Sequence, residues 1–193
     1  MELNLKARLK RIRDIQARPE NDLKPERILM TDHKSWPGWE EAGFNIYKRT
    51  VRLELPATVP RAFSKSLAII VPDLARLGSI PLPRELLFFD LETTGLSSGA
   101  GTIAFLAAFG RFASAENNDV LEITQYLLLD YPGEAGFVEL MVGEFEGSPI
   151  VVSYNGKCFD AQILKTRCLM NGIKAPLLLH ADLLHPARRL WKL

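Results

Sequence analysis

Two acidic residues, Asp90 and Glu92, are separated by a single residue and directly follow the short apolar run at residues 86–89. On a β-strand, residues separated by one position point to the same face. Like charges held so close raise each other's pKa unless a cation lies between them. Carboxylate oxygens are hard ligands that suit Mg²⁺ or Mn²⁺. An isolated Asp-x-Glu would indicate solvated acids, but the flanking Phe-Phe and Thr-Thr-Gly-Leu favour a metal site.

A third carboxylate, Asp160, follows a second apolar run that ends in the segment Ser-Tyr-Asn-Gly-Lys-Cys-Phe at residues 153–159. The pattern predicts a strand, a glycine-containing turn and a helix that begins near Asp160. Functional groups in open α/β sheets gather at the carboxyl ends of strands, so Asp160 is expected beside Asp90 and Glu92. The alternative is an acid that the helix dipole favours at a helix N-terminus.

The elements that must position these acids follow from the apolar patterning after residue 85. Residues 86–89, 102–112, 120–129, 150–154 and 177–180 are predicted strands, with a turn at Asn117 and Asn118. Residues 134–145, 159–171 and 182–191 are predicted helices, with Asp182 as an N-cap. Successive strands followed by alternating helices and strands predict an α/β fold, a mixed five-stranded sheet with helices on both faces.

Residues 1–80 are predicted to form an irregular N-terminal extension before a domain at residues 81–193. The extension begins with an amphipathic helix whose basic face is either solvated, the preferred interpretation, or in contact with phosphates. A proline-rich linker follows, then a hairpin or edge strands at residues 44–55 and a helix at residues 64–77. Pro72 is expected to kink or shorten that helix.

The overall composition excludes several classes of protein. The chain has 193 residues, a net charge of +1 and 47% hydrophobic residues, which is typical of a globular protein. No apolar run approaches the length that spans a bilayer, and the charged N-terminus lacks the apolar core of a signal peptide. The 2 cysteines, Cys158 and Cys168, are predicted too far apart for a disulfide. A reduced cytoplasmic setting without membrane contact is expected.

Together, the two acidic segments resemble the first and second exonuclease motifs of the DEDD superfamily of 3′→5′ exonucleases. From Leu86 onward the chain is similar to the YprB-type family of ribonuclease H-like proteins. The matching stretches are LLFFDLETTGLSSGAGTIAFLAAFGRF, VVSYNGKCFDAQILKTRC and LHADLLHPARRLWK. The resemblance covers a little over half of the chain.

This resemblance implies a ribonuclease H-like exonuclease domain that acts on nucleic acid, a single strand or 3′ end of either DNA or RNA. It implies that Asp90, Glu92 and Asp160 are catalytic and hold two Mg²⁺ or Mn²⁺ ions, which activate a water and stabilise the leaving oxygen. It also implies a substrate-binding group, of which the residues after Glu92 bind the terminal nucleotide and Asn155 stabilises the second motif. It implies that Asp182 is structural or contacts a metal ligand without binding the metal itself. The substrate-binding group is Thr93, Thr94, Gly95, Leu96 and Asn155.

The superfamily pattern also requires a fourth carboxylate in a His-x-x-x-Asp or Tyr-x-x-x-Asp motif after Asp160. His180 and His185 are followed four positions later by Leu184 and Arg189, so neither supplies it. We therefore expect the sequence to be the N-terminal portion of a longer protein, truncated before the last ligand and the general base, and weakly active or inactive by itself. The alternative function is a non-catalytic, nucleic-acid-binding ribonuclease H-like module.

Overall fold

A seven-stranded mixed sheet forms the centre of the computed structural model, which describes residues 36–71, 74, 79–95, 101–114, 119–147 and 150–191. The predicted basic helix, Leu96 and the turn at Asn117 and Asn118 lie outside the described residues. In chain order the strands are β1 (Glu40–Gly43), β2 (Ile46–Leu55), β3 (Leu86–Thr93), β4 (Ala104–Ser114), β5 (Asp119–Leu128), β6 (Ile150–Ser153) and β7 (Leu179–Asp182).

The spatial order of the strands is β1-β2-β5-β4-β3-β6-β7. Neighbouring strands from β1 to β3 are antiparallel, whereas β6 runs parallel to both β3 and β7. The central strand β3 therefore joins the antiparallel part of the sheet to the parallel part. Two of the candidate carboxylates belong to this strand.

The predicted α/β class with a mixed sheet is confirmed, but the number of strands is seven and not five. The additional strands are β1 and β2; residues 44–55 were predicted as a hairpin or edge strands, and they form β2 alone, whereas β1 precedes the predicted range. Strand β2 pairs with β5 from Ile46 opposite Leu128 to Leu55 opposite Asp119, so the backbone hydrogen-bonding groups of the β5 edge are satisfied by β2. The sheet thus crosses the boundary predicted at residue 80.

Four α-helices are described: α1 (Val59–Ile70), α2 (Glu134–Glu144), α3 (Asp160–Met170) and α4 (Leu184–Trp191). Helix α1 begins five positions before its predicted start, and Pro60 lies in its first turn, where a proline costs no hydrogen bond. It ends at Ile70 because Val71 precedes Pro72 and adopts an extended conformation, as the residue before a proline prefers. No helix among the described residues is long and apolar enough to cross a membrane.

The helices cover both faces of the sheet, as predicted. On one face, α2 and α3 pack against buried side chains of β3 and its neighbours, including Leu87, Phe89 and Phe109. On the other face, Leu67 of α1 packs against Leu86 and residues of β6 and β7. Because β3 is covered on both faces, its apolar residues are buried on either side, except for the partly buried Phe88. The strand is therefore firmly held up to the position where the acids begin.

A buried ion pair joins the two helices that share one face. Arg167 of α3 donates to both carboxylate oxygens of Glu134 at the start of α2, each at 2.5 Å. Both side chains are at most 4% exposed, and the hydrogen bonds that Arg167 donates to Glu134 raise the pKa of Arg167. A paired, bidentate arrangement is what allows two charges to be buried together. The pair fixes α3, and hence the residue with which α3 begins, against α2.

Candidate active site

Asp90 and Glu92 reach the surface because successive side chains of strand β3 point to opposite faces of the sheet. Leu91 is buried with the core, whereas Asp90 and Glu92 on the opposite face are exposed. On the neighbouring strand, Ala108 lies opposite Asp90, and this small side chain leaves open space above the sheet. The sequence analysis placed both acids correctly on one face of the strand.

Asp160 is the first residue of α3 and is only 4% exposed. Burial raises the pKa of its carboxyl to about 7, and the charges of Asp90, Asp182 and Glu92 add to this effect. Burial, followed by the charge of Glu92, also raises the pKa of Asp90. The structure therefore brings the three predicted acids into electrostatic contact at one end of the sheet.

The carboxylates at this end of the sheet are suitable ligands for a cation, although they do not surround a common metal position. Among the described residues, no three His, Cys, Asp or Glu side chains stand close enough together to hold a metal ion. The expected sharing of one ion by all three carboxylates is thus not found in this arrangement of side chains. The donor set still fits Mg²⁺ or Mn²⁺, because a cation would relieve the repulsion that raises the pKa of Asp160 and Asp90.

The loop between β6 and α3 determines where Asp160 lies. Asn155 has a φ of 65°, a left-handed conformation that asparagine tolerates better than most residues. A Cβ atom at Gly156 would lie 2.5 Å from Ser153 Oγ and 2.8 Å from Asp160 Oδ2, so any side chain there would clash. Gly156 is therefore required for the close approach of the loop to Asp160. The sequence analysis noted this glycine as part of a turn and missed its packing role.

Asp182 ends β7 and binds the backbone on both sides of the site. Its Oδ1 accepts hydrogen bonds from Asn155 N at 2.8 Å and Leu184 N at 2.9 Å, and its Oδ2 accepts from Lys157 N at 3.0 Å. Burial alone would raise the pKa of Asp182, but these three bonds and His180 outweigh it and hold that pKa below its usual range. Asp182 thus lies in a strand, two residues before α4 begins, and ties that helix to the loop that precedes Asp160.

Beneath the loop lies a buried polar pair that the sequence analysis did not identify. Ser153 Oγ and His180 Nε2 are 2.6 Å apart across the parallel pair of β6 and β7. Burial lowers the pKa of His180, and the ammonium of Lys157 acts in the same direction, against the charge of Asp182. A neutral imidazole is therefore favoured. No spacing in the sequence indicates this pair, because it depends on the register between two strands.

The turn that follows β3 is held by its own threonines. Thr93 Oγ1 donates to the carbonyl oxygen of Gly95 at 2.8 Å, and Thr94 Oγ1 accepts from Ile103 N at 3.1 Å. The backbone N–H of Thr94 also donates to the carbonyl oxygen of Ile103. These bonds stabilise the turn beside Glu92. Contact of this turn with a nucleotide stays a prediction.

Two clefts contain acidic residues of this region, the first Asp90 and the second Asp182. The first has a volume of about 370 Å³ and is mainly apolar, with Asp90 among lining residues that include Phe88, Val152, Tyr154 and Leu183. Tyr154 is 56% exposed, which leaves its ring available for contact. The second has a volume of about 860 Å³ and includes several basic side chains. The sequence analysis assigned no role to Tyr154, since one aromatic residue at a strand end carries no distinctive pattern.

Comparison with known proteins agrees with this architecture. The family described as the RNase_H superfamily matches residues 87–192. YprB of Bacillus subtilis, described as an uncharacterized protein, is 40% identical over 111 residues. The aligned region covers 56% of this chain but 26% of that relative, so the chain spans about a quarter of the relative's length.

Proposed function

The chain belongs to the RNase_H superfamily, and from that premise we propose that it is a metal-dependent nuclease that hydrolyses phosphodiester bonds, as a 3′→5′ exonuclease. Membership of the superfamily points to nuclease-type chemistry in general terms. The exonuclease assignment rests on the resemblance of the segments around Asp90 and Asp160 to the DEDD motifs. The single observation that carries the proposal is the buried position of Asp160 at the start of α3, where the charges of Asp90 and Glu92 add to the effect of burial in raising the pKa of its carboxyl.

Carboxylates of like charge are expected close together where a cation is bound between them. A side chain that serves only folding is stabilised by its partners, as Asp182 is by its three backbone donors. Asp160 is instead buried among like charges. We assign Asp90, Glu92 and Asp160 as the ligands of Mg²⁺ or Mn²⁺. Two such ions, when bound, would supply an activated water and stabilise the leaving oxygen.

The remaining acid of the site, Asp182, is assigned a supporting role. Both of its oxygens already accept backbone hydrogen bonds, and these bonds hold the ends of the loop at residues 155–157. A metal ion bound to Asp182 would have to compete with those donors. Asp182 therefore positions the chain around Asp160, and its contribution to hydrolysis is indirect.

The apolar cleft beside Asp90 suits the terminal nucleoside of the substrate. Its volume of about 370 Å³ accommodates a base and sugar, and its lining is mostly apolar. The exposed ring of Tyr154 at this cleft provides a surface on which any base can stack. Stacking does not distinguish bases, which is appropriate for an enzyme that removes successive nucleotides. A base seated here would place the adjoining phosphodiester toward the acids.

The proposal is tested with a short single-stranded oligonucleotide labelled at its 5′ end, as DNA and as RNA, in Mn²⁺. We expect slow formation of a ladder of products shortened stepwise from the 3′ end, because Asp90, Glu92 and Asp160 supply three of the four carboxylates of the DEDD motifs, and no products in EDTA. Asp90→Asn and Asp160→Asn should abolish the ladder. Glu146→Gln, which neutralises an exposed acid outside the site, should leave it unchanged. Hydrolysis that persists in Asp90→Asn would overturn the assignment of the site.

A non-catalytic nucleic-acid-binding module is the second candidate function. It is favoured by the absence, among the described residues, of three side chains already gathered around a metal position. The same experiment separates the two functions. Binding of the oligonucleotide without any hydrolysis, in either Mg²⁺ or Mn²⁺, would support the binding module and contradict the nuclease.

A further inference from the structure

A second cleft, here called the basic groove, lies beside the loop between β6 and α3, which precedes Asp160. It has a volume of about 860 Å³, and the cationic side chains that line it are Lys157, Arg188 and Arg189. All three are exposed. Val71 and Pro186 provide apolar surface between them. Such a combination of cations and apolar surface is typical of a site for a phosphodiester backbone.

The basic groove lies next to the loop that precedes Asp160. Lys157 belongs to the loop before Asp160, and its backbone N–H is held by Asp182. His180 and Asp182 line the same groove. Asp182 is also close enough to Asp160 for its charge to raise the pKa of that carboxyl, so the groove lies near the carboxylate cluster. A strand whose last phosphodiester lies at the acids would extend toward this surface.

The charge in the groove is predominantly positive and partly fixed in place. Among the described lining residues, Asp182 is the only acid, and its oxygens already accept three backbone hydrogen bonds. The guanidinium of Arg189 donates to the carbonyl oxygen of Ile70 at 2.9 Å, which holds this side chain against the end of α1. Arg188, the neighbouring residue of α4, adds a second guanidinium to the same surface. Guanidinium groups match the geometry of phosphate oxygens.

We propose that the basic groove binds the phosphates of a single-stranded nucleic acid whose end lies at Asp90, Glu92 and Asp160. This inference rests on the proposed nuclease function and names the surface that holds the substrate beyond the reacting bond. Lys157 contacts the phosphate nearest to the acids, and Arg188 and Arg189 contact phosphates farther along the strand. Because these contacts are to phosphate, they are independent of base sequence.

The groove is tested by binding in EDTA, where hydrolysis cannot interfere. The anisotropy of a fluorescent single-stranded oligonucleotide gives its affinity across a series of salt concentrations. Each phosphate contact adds about 0.7 to the slope of log affinity against log salt for a single strand. Lys157→Gln and Arg188→Gln should each lower the slope by about 0.7 and weaken binding several-fold at low salt. DNA and RNA should behave alike, since both present phosphates.

Lys65→Gln provides the matched control, because Lys65 is an exposed cation of α1 that does not line the groove. It should leave the slope unchanged, and Arg188→Lys should restore most of the slope that Arg188→Gln loses. Equal slopes for the parent, Lys157→Gln and Arg188→Gln would overturn the proposal.

The outcome is independent of the nuclease test. If the two groove variants lower the salt slope but no hydrolysis occurs, the groove is supported and the nuclease function is contradicted. If hydrolysis requires Asp90 but the salt slopes of the variants equal that of the parent, the nuclease function is supported and the groove is contradicted.

Discussion

At the scale of single residues, the acids of this site differ in what surrounds them. Asp160 is buried beside other carboxylates, and its pKa is raised to about 7. Asp182 is also buried, yet three backbone N–H groups hold its pKa below the usual range. The first environment opposes the charged form, and the second stabilises it. Two buried aspartates so close in space can therefore have opposite roles: Asp182 stabilises the fold, and Asp160 is the one that we propose as a ligand of a cation.

The raised pKa of Asp160 predicts a loss of stability as the pH rises. Its ordinary pKa is 3.8 and its folded value is about 7, so the folded state holds a proton that the unfolded state has already released between these values. The stabilising contribution is thus complete below the unfolded pKa and is lost as pH rises through the folded one. In EDTA, the free energy of unfolding of the parent should fall relative to Asp160→Asn by up to about 4 kcal/mol across this window.

Urea denaturation of the two proteins at several pH values measures this difference directly. A constant difference between parent and Asp160→Asn from acid to neutral pH would contradict the raised pKa. Glu146→Gln, with an exposed carboxyl, should track the parent at every pH.

The substitution Asp90→Asn should leave the protein at least as stable as the parent in metal-free buffer. It removes one member of a repelling group whose pKa is raised by burial and by Glu92. Asp182→Asn is the matched comparison and should cost about 1–3 kcal/mol, because an amide replaces an acceptor of three hydrogen bonds. Thermal melts distinguish the two variants. A midpoint for Asp90→Asn as low as that of Asp182→Asn would mean that Asp90 is a structural residue.

At the scale of elements, the loop between β6 and α3 determines where Asp160 lies relative to β3. Its glycine permits contact with Ser153 and Asp160, its asparagine adopts the left-handed conformation, and Asp182 holds its backbone. The sequence predicted the strand, the turn and the helix, since apolar patterning and glycine are local signals. It did not predict the bonds from Asp182 or the pair formed by Ser153 and His180. These depend on the register of β6 and β7, which is a long-range property.

Gly156→Ala tests the packing of this loop. The added methyl group would lie 2.5 Å from Ser153 Oγ, so the loop must move, at a cost of about 1–3 kcal/mol. Gly143→Ala is the control, because nothing lies within 4 Å of the added Cβ and alanine favours the helix. Denaturant midpoints should fall for Gly156→Ala and stay level or rise for Gly143→Ala. Equal midpoints for the two variants would show that the loop does not need its glycine.

At the scale of the whole molecule, three elements carry the acidic residues of this region: β3 carries Asp90 and Glu92, α3 carries Asp160, and β7 carries Asp182. The central strand β3 and the parallel strands β6 and β7 were predictable, because each combines a short apolar run with a turn signal. The join of β1 and β2 to the sheet was not, because pairing of β2 with β5 brings together residues more than sixty positions apart. The boundaries of β7 and α4 were also shifted, since Asp182 serves as a local acceptor and still belongs to the strand.

The central claim is that Asp90, Glu92 and Asp160, from two separate elements, act as one metal-binding unit. The most direct measurement is a titration of Mn²⁺ followed by electron paramagnetic resonance, in which bound ions lose the signal of the free ion. The parent chain should bind Mn²⁺, and Asp90→Asn, Glu92→Gln and Asp160→Asn should each weaken that binding at least tenfold. Glu146→Gln should bind as the parent does. Binding of Mn²⁺ that survives in all three site variants, or its absence from the parent, would contradict the account.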